Sequence, residues 1–148
     1  MRISAKGEYA IKAMLDLALH HGKGLIPIQA IAARQGIPQR YLEQVLLLLK
    51  RAGFLQSRRG SAGGYQLQRP PQEITVGAVV RAMEGSLERP ETGQRAGRRA
   101  ASDHARDLEE LWSEISAAVA GVVDRVSFAD LCQRVEQRRS AARPMYHI

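Results

Sequence analysis

Residues 28–67 have the sequence IQAIAARQGIPQRYLEQVLLLLKRAGFLQSRRGSAGGYQL, in which two helical patterns precede a glycine-rich hairpin pattern. Ile28 and Ile31 recur at helical spacing and give the first helix one buried side. Gly36 then breaks this helix, and Pro38 is well suited to open a second one. The order of helix, tight turn and second helix predicts a helix-turn-helix.

The second helix, which we expect to end near Ala52, has two faces of different chemistry. One face repeats large apolar residues at three- and four-residue steps: Leu42, Val45, Leu46 and Leu49. The opposite face carries Arg40, Glu43, Gln44 and Leu47. Gly53 is expected to end the helix in a left-handed conformation, and residues 54–58 and 65–68 to form a hairpin. This pattern indicates a winged helix-turn-helix, a mainly α fold with a small β-wing.

The outward face of the second helix matches the chemistry of duplex DNA. A helix fits the major groove, and this face carries the donors and acceptors that base edges require: Gln39, Arg40, Glu43 and Gln44. The glycines let the wing approach a phosphate or the minor groove, where Arg58 and Arg59 add charge. We also expect DNA contacts near the N-terminus and at the end of the second helix, by Arg2, Ser4, Lys6, Lys50 and Arg51. The alternatives are a helix-turn-helix that serves protein contacts and a hairpin that is only a solvated edge.

Charge is distributed unevenly along the chain, whose net charge is +7. Residues 1–70 contain 11 Lys or Arg against Glu8, Asp16 and Glu43, whereas residues 71–148 contain 11 basic and 12 acidic residues. The excess positive charge therefore belongs to the helix-turn-helix half and indicates a polyanionic partner, double-stranded DNA. An acidic membrane surface is the alternative, but the wing lacks the exposed apolar face that membrane binding requires.

The sequence argues against several other classes of protein. No apolar run approaches the roughly 20 residues of a membrane-spanning helix, and the N-terminus lacks the apolar core of a signal peptide, so we expect a cytoplasmic protein. A single cysteine, Cys132, excludes an internal disulfide and a metal site built on several thiolates. No nucleophile or carboxylate pair surrounds the histidines, which are His20, His21, His104 and His147. We therefore predict no enzyme activity, no metal site and no cofactor.

Further helical patterns complete the expected organisation. Residues 5–21 form an opening scaffold helix, closed by His20 and His21 as capping residues rather than metal ligands. A linker helix begins at its N-cap Thr75 and ends at Gly85. We divide the chain into a winged helix-turn-helix domain with linker helix (1–84), a mobile loop (85–104), and a dimerisation helix with a short final helix and tail (105–148).

A long apolar stripe marks the helix predicted from about His104 to Arg125. It is longer than the small first domain can cover, so we expect an identical helix of a second subunit to bury it. A two-fold dimer also matches the palindromic half-sites that helix-turn-helix proteins bind. The residues predicted in the dimer interface are Leu108, Leu111, Trp112, Ile115, Val119, Val122 and Val123. Burial against the chain's own first domain is the alternative.

The final helix is expected to begin after its N-cap, Ser127, and to place Phe128, Leu131 and Cys132 on one side. Cys132 is therefore interpreted as a small, buried apolar residue. A redox-sensing thiol is the alternative, but no basic residue that would lower its pKa stands three or four residues away, on the same face of the helix.

Four segments make the chain resemble the Rrf2 family of bacterial winged-helix regulators over nearly its whole length. They are MRISAKGEYAIKAMLDLA (1–18), IAARQGIPQRYLEQVLLLLKRAGFLQSRRGSAGGYQL (31–67), ITVGAVVRAMEG (74–85) and LWSEISAAVAGVVDRVSFADL (111–131). The resemblance implies a homodimeric transcription factor whose long helix crosses that of its mate, with the recognition helix in the major groove and the wing in the minor groove. On the matching positions it implies DNA contacts by Pro38, Gln39, Arg40, Tyr41, Glu43, Gln44, Arg59, Gly60 and Ser61.

The sequence departs from the iron-sulfur regulators of that family. Those members carry three cysteines in the loop after the linker helix, and a histidine ligand three residues before the tryptophan of the dimer helix. Here residues 86–103 contain no cysteine, Glu109 stands three residues before Trp112, and His104 is out of register. The resemblance is therefore to the family's cysteine-metabolism repressors and implies a repressor of sulfur or cysteine genes. A regulator of another stress or iron-sulfur pathway is the alternative.

The last residues, 145–148, form a short tail that composition alone would interpret as frayed and unimportant. The resemblance implies a partner, because the family's cysteine repressor binds cysteine synthase, whose active site also accepts the C-terminal isoleucine of serine acetyltransferases. We therefore predict that Tyr146, His147 and Ile148 bind cysteine synthase (O-acetylserine sulfhydrylase), with the Ile148 carboxylate held by backbone donors. An interaction protein that chiefly modulates this enzyme is the corresponding alternative to a DNA-binding regulator.

Overall fold

The computed structural model describes residues 3–85 and 103–142 of the chain. Within these residues a short 3-10 helix at Pro71–Glu73 precedes the fourth of six α-helices, and one antiparallel sheet has two strands. The elements are α1 (Ala5–Leu19), α2 (Ile28–Gln35), α3 (Gln39–Arg51), β1 (Leu55–Arg58), β2 (Gly64–Leu67), α4 (Val76–Glu84), α5 (Asp103–Val123) and α6 (Phe128–Ala142). The prediction of a mainly α fold with a small β-wing is confirmed. No helix in the described part of the chain is long and apolar enough to cross a membrane.

The core lies where α1, α3 and α4 pack together with Ile31 of α2, because each helix turns its apolar side toward the others. α1 contributes Ala10, Ala13, Met14 and Leu17. α3 contributes the four residues that the sequence predicts, Leu42, Val45, Leu46 and Leu49, all of them buried. Burial of this stripe removes apolar surface from water and fixes how α3 is rotated about its own axis. The opposite face of α3 is thereby held toward the outside.

Two glycines end the helices of the motif as predicted. Gly36 has a φ of 64° and donates its N–H to the Ala32 carbonyl, which closes α2. Gly53 has a φ of 87° after the last turn of α3. The next N–H, of Phe54, donates to the Leu49 carbonyl at 3.0 Å, as in a Schellman cap. These left-handed residues set the angle between α2 and α3 and direct the chain into β1.

The wing is an antiparallel hairpin with one additional backbone pairing. β1 and β2 pair in a register that places Arg58 opposite Gly64. Ile26, in the segment before α2, exchanges two hydrogen bonds with the backbone of Tyr65, both at 2.8 Å. A Cβ atom on Gly64 would overlap the Ile26 carbonyl, so glycine is needed at this crossing. The sequence pattern predicted the hairpin correctly, but it did not predict the pairing of Ile26 with Tyr65.

The chain after α5 returns to the first domain. Phe128, the first residue of α6, is fully buried in the core. Its N–H donates to the Ile74 carbonyl, and the Val76 N–H donates to the Val126 carbonyl, each at 2.9 Å. The sequence predicted domain boundaries at residues 84 and 105. Those boundaries separate α6 from the first domain, although Phe128 of α6 belongs to the same core. α6 continues to Ala142 and is longer than the short helix that we expected.

Side-chain caps begin α4 and α6 as predicted. The Thr75 hydroxyl accepts the Ala78 N–H at 3.1 Å. Ser127 and Asp130 form a reciprocal pair, in which the Asp130 carboxylate accepts the Ser127 N–H at 2.9 Å and the Ser127 hydroxyl accepts the Asp130 N–H at 3.1 Å. These hydrogen bonds hold the pKa of Asp130 below its ordinary value. Residues 86–102, which include most of the predicted mobile loop, lie outside the described residues.

An ion pair fixes α4 against the end of α5. Both terminal nitrogens of the Arg81 guanidinium donate to the Asp124 carboxylate. The pair lowers the pKa of Asp124 below its ordinary value. Gly77 makes this contact feasible, because a Cβ atom there would overlap the carboxylate. The ion pair therefore holds the segment that leads into α6 against the linker helix, α4.

Candidate DNA-binding interface

The outward face of α3 presents hydrogen-bonding side chains on a rigid support. Pro38 precedes the helix, and it and all five base-contacting candidates of α3 are exposed: Gln39, Arg40, Tyr41, Glu43 and Gln44. Leu42 and Leu46, on the other face of the same turns, are fully buried. Because one helix carries both faces, packing of the core fixes the direction of the polar side chains. This is the arrangement that insertion of a helix into the major groove requires.

The first turn of α3 contains a contact between neighbouring side chains. The Arg40 guanidinium lies over the Tyr41 ring, with 4.8 Å between its central carbon and the ring centroid. Nη2 of Arg40 also donates to the Tyr41 hydroxyl at 2.9 Å. A guanidinium has five N–H donors, so this hydrogen bond leaves capacity for an acceptor on a base or a phosphate. The ring thus positions the Arg40 head group at the exposed start of α3.

The tip of the wing is compact enough to approach a nucleic-acid backbone. Gly60 has a φ of 114°, and its carbonyl accepts the Gly63 N–H at 3.0 Å. A Cβ atom on Gly63 would overlap the carbonyl oxygen of Arg58, so the turn depends on glycine at that position. Arg59 and Ser61 lie in this turn and are exposed. The wing therefore displays cationic and hydroxyl groups on a narrow edge.

The remaining predicted DNA contacts are placed at both ends of the motif. Lys6 is exposed in the first turn of α1, and Lys50 and Arg51 are exposed in the last turn of α3. Residues 39–59 contain five basic side chains and one acidic side chain, Glu43. The electrostatic field of this segment therefore attracts an anion. Arg2 lies outside the described residues. The DNA contacts of all these side chains remain predictions.

Ser4 has a structural function in addition to its predicted DNA contact. Its hydroxyl accepts the Gly7 N–H at 3.1 Å and so caps α1. Its backbone N–H and its hydroxyl both donate to Glu84 at the end of α4. Gly7 leaves room for this contact, because a Cβ atom there would overlap the Glu84 carboxylate. Ser4 therefore joins the start of α1 to the linker helix.

A buried ion pair that the sequence pattern did not predict joins α1 to the helix-turn-helix. Asp16 in α1 is only 1% exposed, and its two oxygens accept hydrogen bonds from Nε and Nη2 of Arg34 at 2.8 Å each. Gln35 donates to the same carboxylate at 3.2 Å, and His20 Nδ1 donates to the Asp16 carbonyl at 2.7 Å. A signal was present, because Asp16 lies at the edge of the apolar stripe of α1, three residues after Ala13, and a buried carboxylate requires a partner. The capping role predicted for His20 agrees with its position.

The long helix α5 exposes most of its predicted interface. Leu108, Leu111, Trp112, Ile115 and Val122 are between 36% and 54% exposed in the single chain. Val119 and Val123 are partly buried. The alternative that the chain's own first domain covers this stripe is therefore wrong for the five exposed residues. Contiguous exposed apolar side chains are typical of interaction surfaces, and the dimer interface stays a prediction.

Cys132 packs against the core from α6 and is partly buried. Burial, with the negative charge of Glu136 beside it, raises the pKa of the thiol above its ordinary value. The thiol form therefore dominates at neutral pH, which favours the packing interpretation over redox sensing. Within residues 3–85 and 103–142, no three His, Cys, Asp or Glu side chains lie close enough to bind one metal ion.

Known proteins resemble this chain in both sequence and structure. A family model described as Rrf2, iron-dependent transcriptional regulator, matches residues 3–134. The HTH-type transcriptional regulator IscR of Aliivibrio salmonicida is 38% identical over 132 residues, which cover 88% of this chain and 77% of that protein. The structure of CymR, the global cysteine regulator of B. subtilis, has a TM-score of 0.77 and 34% identity and covers 90% of this chain and 98% of its own. The structure of T. potens IscR also has a TM-score of 0.77, with 33% identity, and covers 100% of this chain and 94% of its own.

These relatives are named as transcriptional regulators rather than as enzymes, which confirms the prediction that the chain is not an enzyme. The family model and the structural matches span the helix-turn-helix, the wing and α5 together. The chain therefore belongs to the Rrf2 family of winged-helix transcriptional regulators.

Proposed function

We propose that this DNA-binding regulator is a homodimer that represses genes by binding a palindromic operator, with α3 in the major groove and the wing in the minor groove. The exposed hydrogen-bonding face of α3, held rigid by its buried opposite face, is the observation that carries the proposal. The narrow basic tip of the wing supports the second contact, since its glycines allow close approach to the DNA backbone. Two such motifs related by a two-fold axis match two half-sites of a palindrome.

In the proposed complex with DNA, the basic side chains position the protein on the duplex and the polar side chains recognise the bases. Arg59 in the wing and Lys50 at the end of α3 contact phosphates or the minor groove. Glu43 accepts a hydrogen bond from a cytosine amino group, and Gln44 pairs with an adenine edge. Arg40, steadied by Tyr41, donates to a guanine or to a phosphate. Affinity and sequence preference therefore depend on different residues.

Arg59→Ala and Glu43→Ala are expected to have different effects on binding. Loss of Arg59 should weaken binding to every duplex and reduce the slope of log K against log salt by about 1. Loss of Glu43 should change the preferred base at one position of each half-site. Fluorescence anisotropy titrations across a salt series, with the duplex selected by the wild-type protein and with single-base variants of it, measure both effects.

The matched control is Arg139→Ala, which removes an exposed arginine from α6 and should leave affinity, preference and salt slope unchanged. A gel shift that shows no salt-dependent, sequence-selective binding by the wild-type protein would favour the alternative of an interaction protein. An equal loss of affinity in both variants with an unchanged base preference would contradict the proposed docking.

The proposed dimer is supported by the apolar stripe of α5. The helix has 21 residues and is therefore about 31 Å long. Its exposed leucine, tryptophan, isoleucine and valine side chains would be covered if the same helix of a second copy crossed it. An isologous contact of this kind brings two recognition helices into a two-fold relation, as a palindrome requires.

The proposed targets are genes of sulfur or cysteine metabolism. Likeness to the CymR structure supports this choice, whereas the IscR relatives and the iron-dependent family description support an iron-sulfur or other stress pathway. A cluster is held by several thiolates, and the chain has one cysteine, Cys132, whose burial opposes the thiolate form. The residues of this chain therefore do not fit an iron-sulfur cluster. Sequencing of genomic fragments bound by the protein decides between the two pathways.

The proposed partner is cysteine synthase, bound through Tyr146, His147 and Ile148. These residues lie outside the described residues, so the support is the sequence alone: a branched apolar side chain at Ile148 suits a small pocket, and Tyr146 suits its rim. Calorimetry with purified cysteine synthase should detect binding that O-acetylserine abolishes by competition. Deletion of Ile148 should remove the binding while Arg143→Ala retains it. Undiminished affinity after the deletion, or indifference to O-acetylserine, would rule this partner out.

A further inference from the structure

Leu47 is an apolar residue on the polar face of α3. It is 46% exposed, whereas Leu42, Leu46 and Leu49 of the same helix are fully buried. Among the large apolar side chains described between residues 3 and 85, the exposed ones are Ile3, Tyr41 and Leu47. Tyr41 is in contact with Arg40, but the core does not account for an exposed leucine in the middle of a helix. The exposure of Leu47 therefore indicates a contact with another molecule, and its position on α3 restricts which one.

Helical geometry places Leu47 at the centre of the face proposed to read DNA. Side chains three and four residues apart share one face, so Leu47 lies one turn after both Glu43 and Gln44 and in line with Arg40. The rise of about 1.5 Å per residue puts it roughly 6 Å beyond Glu43 along the helix axis. Arg51 follows on the same face one turn later and is exposed. Leu47 is thus enclosed between base-reading side chains and a cation suited to a phosphate.

The chemistry of a leucine at this place restricts the group that it can recognise. A leucine side chain neither donates nor accepts a hydrogen bond, so it gains nothing from the nitrogen and oxygen atoms of the base edges. The largest apolar group that unmodified base pairs present in the major groove is the 5-methyl group of thymine. Contact with that methyl removes apolar surface of both partners from water. A base pair without the methyl would instead leave Leu47 against polar edges or water.

We propose that Leu47 is a specificity-determining residue that packs on the 5-methyl group of a thymine in each half-site, adjacent to the bases read by Glu43 and Gln44. This inference rests on the proposed docking of α3 in the major groove. It assigns to one residue a preference for thymine that hydrogen-bond readout by the neighbouring side chains does not provide. 5-Methylcytosine carries the same methyl group, and the experiment separates the two bases.

The experiment begins with a duplex that the wild-type protein selects from a random-sequence library. Each thymine of one half-site is replaced in turn by uracil, which keeps base pairing and removes only the methyl group. In a second set, each cytosine is replaced by 5-methylcytosine. At one thymine the wild-type protein should lose roughly fourfold in affinity, the worth of one buried methyl group. Affinity should be insensitive to the methylation of cytosine.

Leu47→Ala provides the decisive comparison, because alanine preserves the helix and shortens the side chain below the reach of the methyl. This variant should bind the thymine duplex more weakly and show no further loss with uracil, so that the two substitutions are not additive. Lys50→Ala is the matched control on the same helix. It should weaken binding to all duplexes and retain the fourfold uracil effect.

The outcomes separate this inference from the proposed function. If the wild-type protein selects no sequence, the proposed function fails and the inference fails with it. If it selects a sequence but Leu47→Ala keeps the full uracil effect, or no thymine methyl affects binding, the function stands and the role of Leu47 is refuted. If methylation of a cytosine in the half-site changes affinity while replacement of every thymine by uracil does not, a thymine contact would likewise be refuted.

Discussion

Arg34→Leu is expected to lower the free energy of unfolding by about 3 kcal/mol, because it leaves the buried Asp16 carboxylate without its main partner. Asp16 is 1% exposed and accepts two hydrogen bonds of 2.8 Å from the guanidinium. This expected loss lies at the lower end of the range for breaking a buried ion pair. The reason is that the Arg34 side chain is itself 40% exposed, so water can reach part of the site. Chemical denaturation followed by circular dichroism measures the loss.

Two further variants isolate the cause. In Asp16→Leu combined with Arg34→Leu no charge is left buried, so this double variant should recover much of the stability. Arg81→Leu removes an arginine from the exposed ion pair with Asp124 and should have a much smaller effect, because solvent screens that pair. A loss of stability that is equal in Arg34→Leu and Arg81→Leu would show that burial of Asp16 does not determine the effect.

Local features of the motif could be predicted from the sequence, because neighbouring residues determine them. Gly36 and Gly53 end helices through their own backbone conformations, and Thr75 and Ser127 cap helices through bonds to residues three positions away. The buried stripe of α3 follows from the three- and four-residue spacing of Leu42, Val45, Leu46 and Leu49. Each of these predictions needed only one segment of the chain.

The missed features all join distant segments. Ile26 pairs with Tyr65 across 39 positions, and Phe128 enters a core formed mainly by the first 83 residues. The Asp16–Arg34 pair required knowledge of how α1 packs on α2, which periodicity does not contain. The sequence already placed Leu47 on the polar face of α3. Its role could be inferred only after the structure showed that the neighbouring leucines are buried and Leu47 is not. The sequence therefore predicted which face of α3 lies outward, whereas the structure shows how packing against α1 and α2 holds that face in place.

Ile115→Asp is expected to convert the proposed dimer into a folded monomer. The substitution places a charge in an interface that should be dry, at a cost of several kcal/mol for an unpaired buried ion. Ile115 is 36% exposed in the single chain and is not part of its core, so the chain itself should still fold. Sedimentation velocity at micromolar concentration measures the assembly, and circular dichroism checks the fold.

Ser113→Asp is the control for the dimer experiment, because it adds the same charge on the polar face of α5, beside Arg106 and Glu110, and should leave the dimer intact. A monomeric Ile115→Asp should bind a single half-site as weakly as the wild-type protein does, since the recognition helix is untouched. It should lose the additional affinity for the full palindrome, because that gain comes from linking two half-site contacts in one molecule. A wild-type protein that sediments as a monomer at micromolar concentration would contradict the dimer. A monomeric variant that retains full affinity for the palindrome would contradict the link between α5 and operator binding.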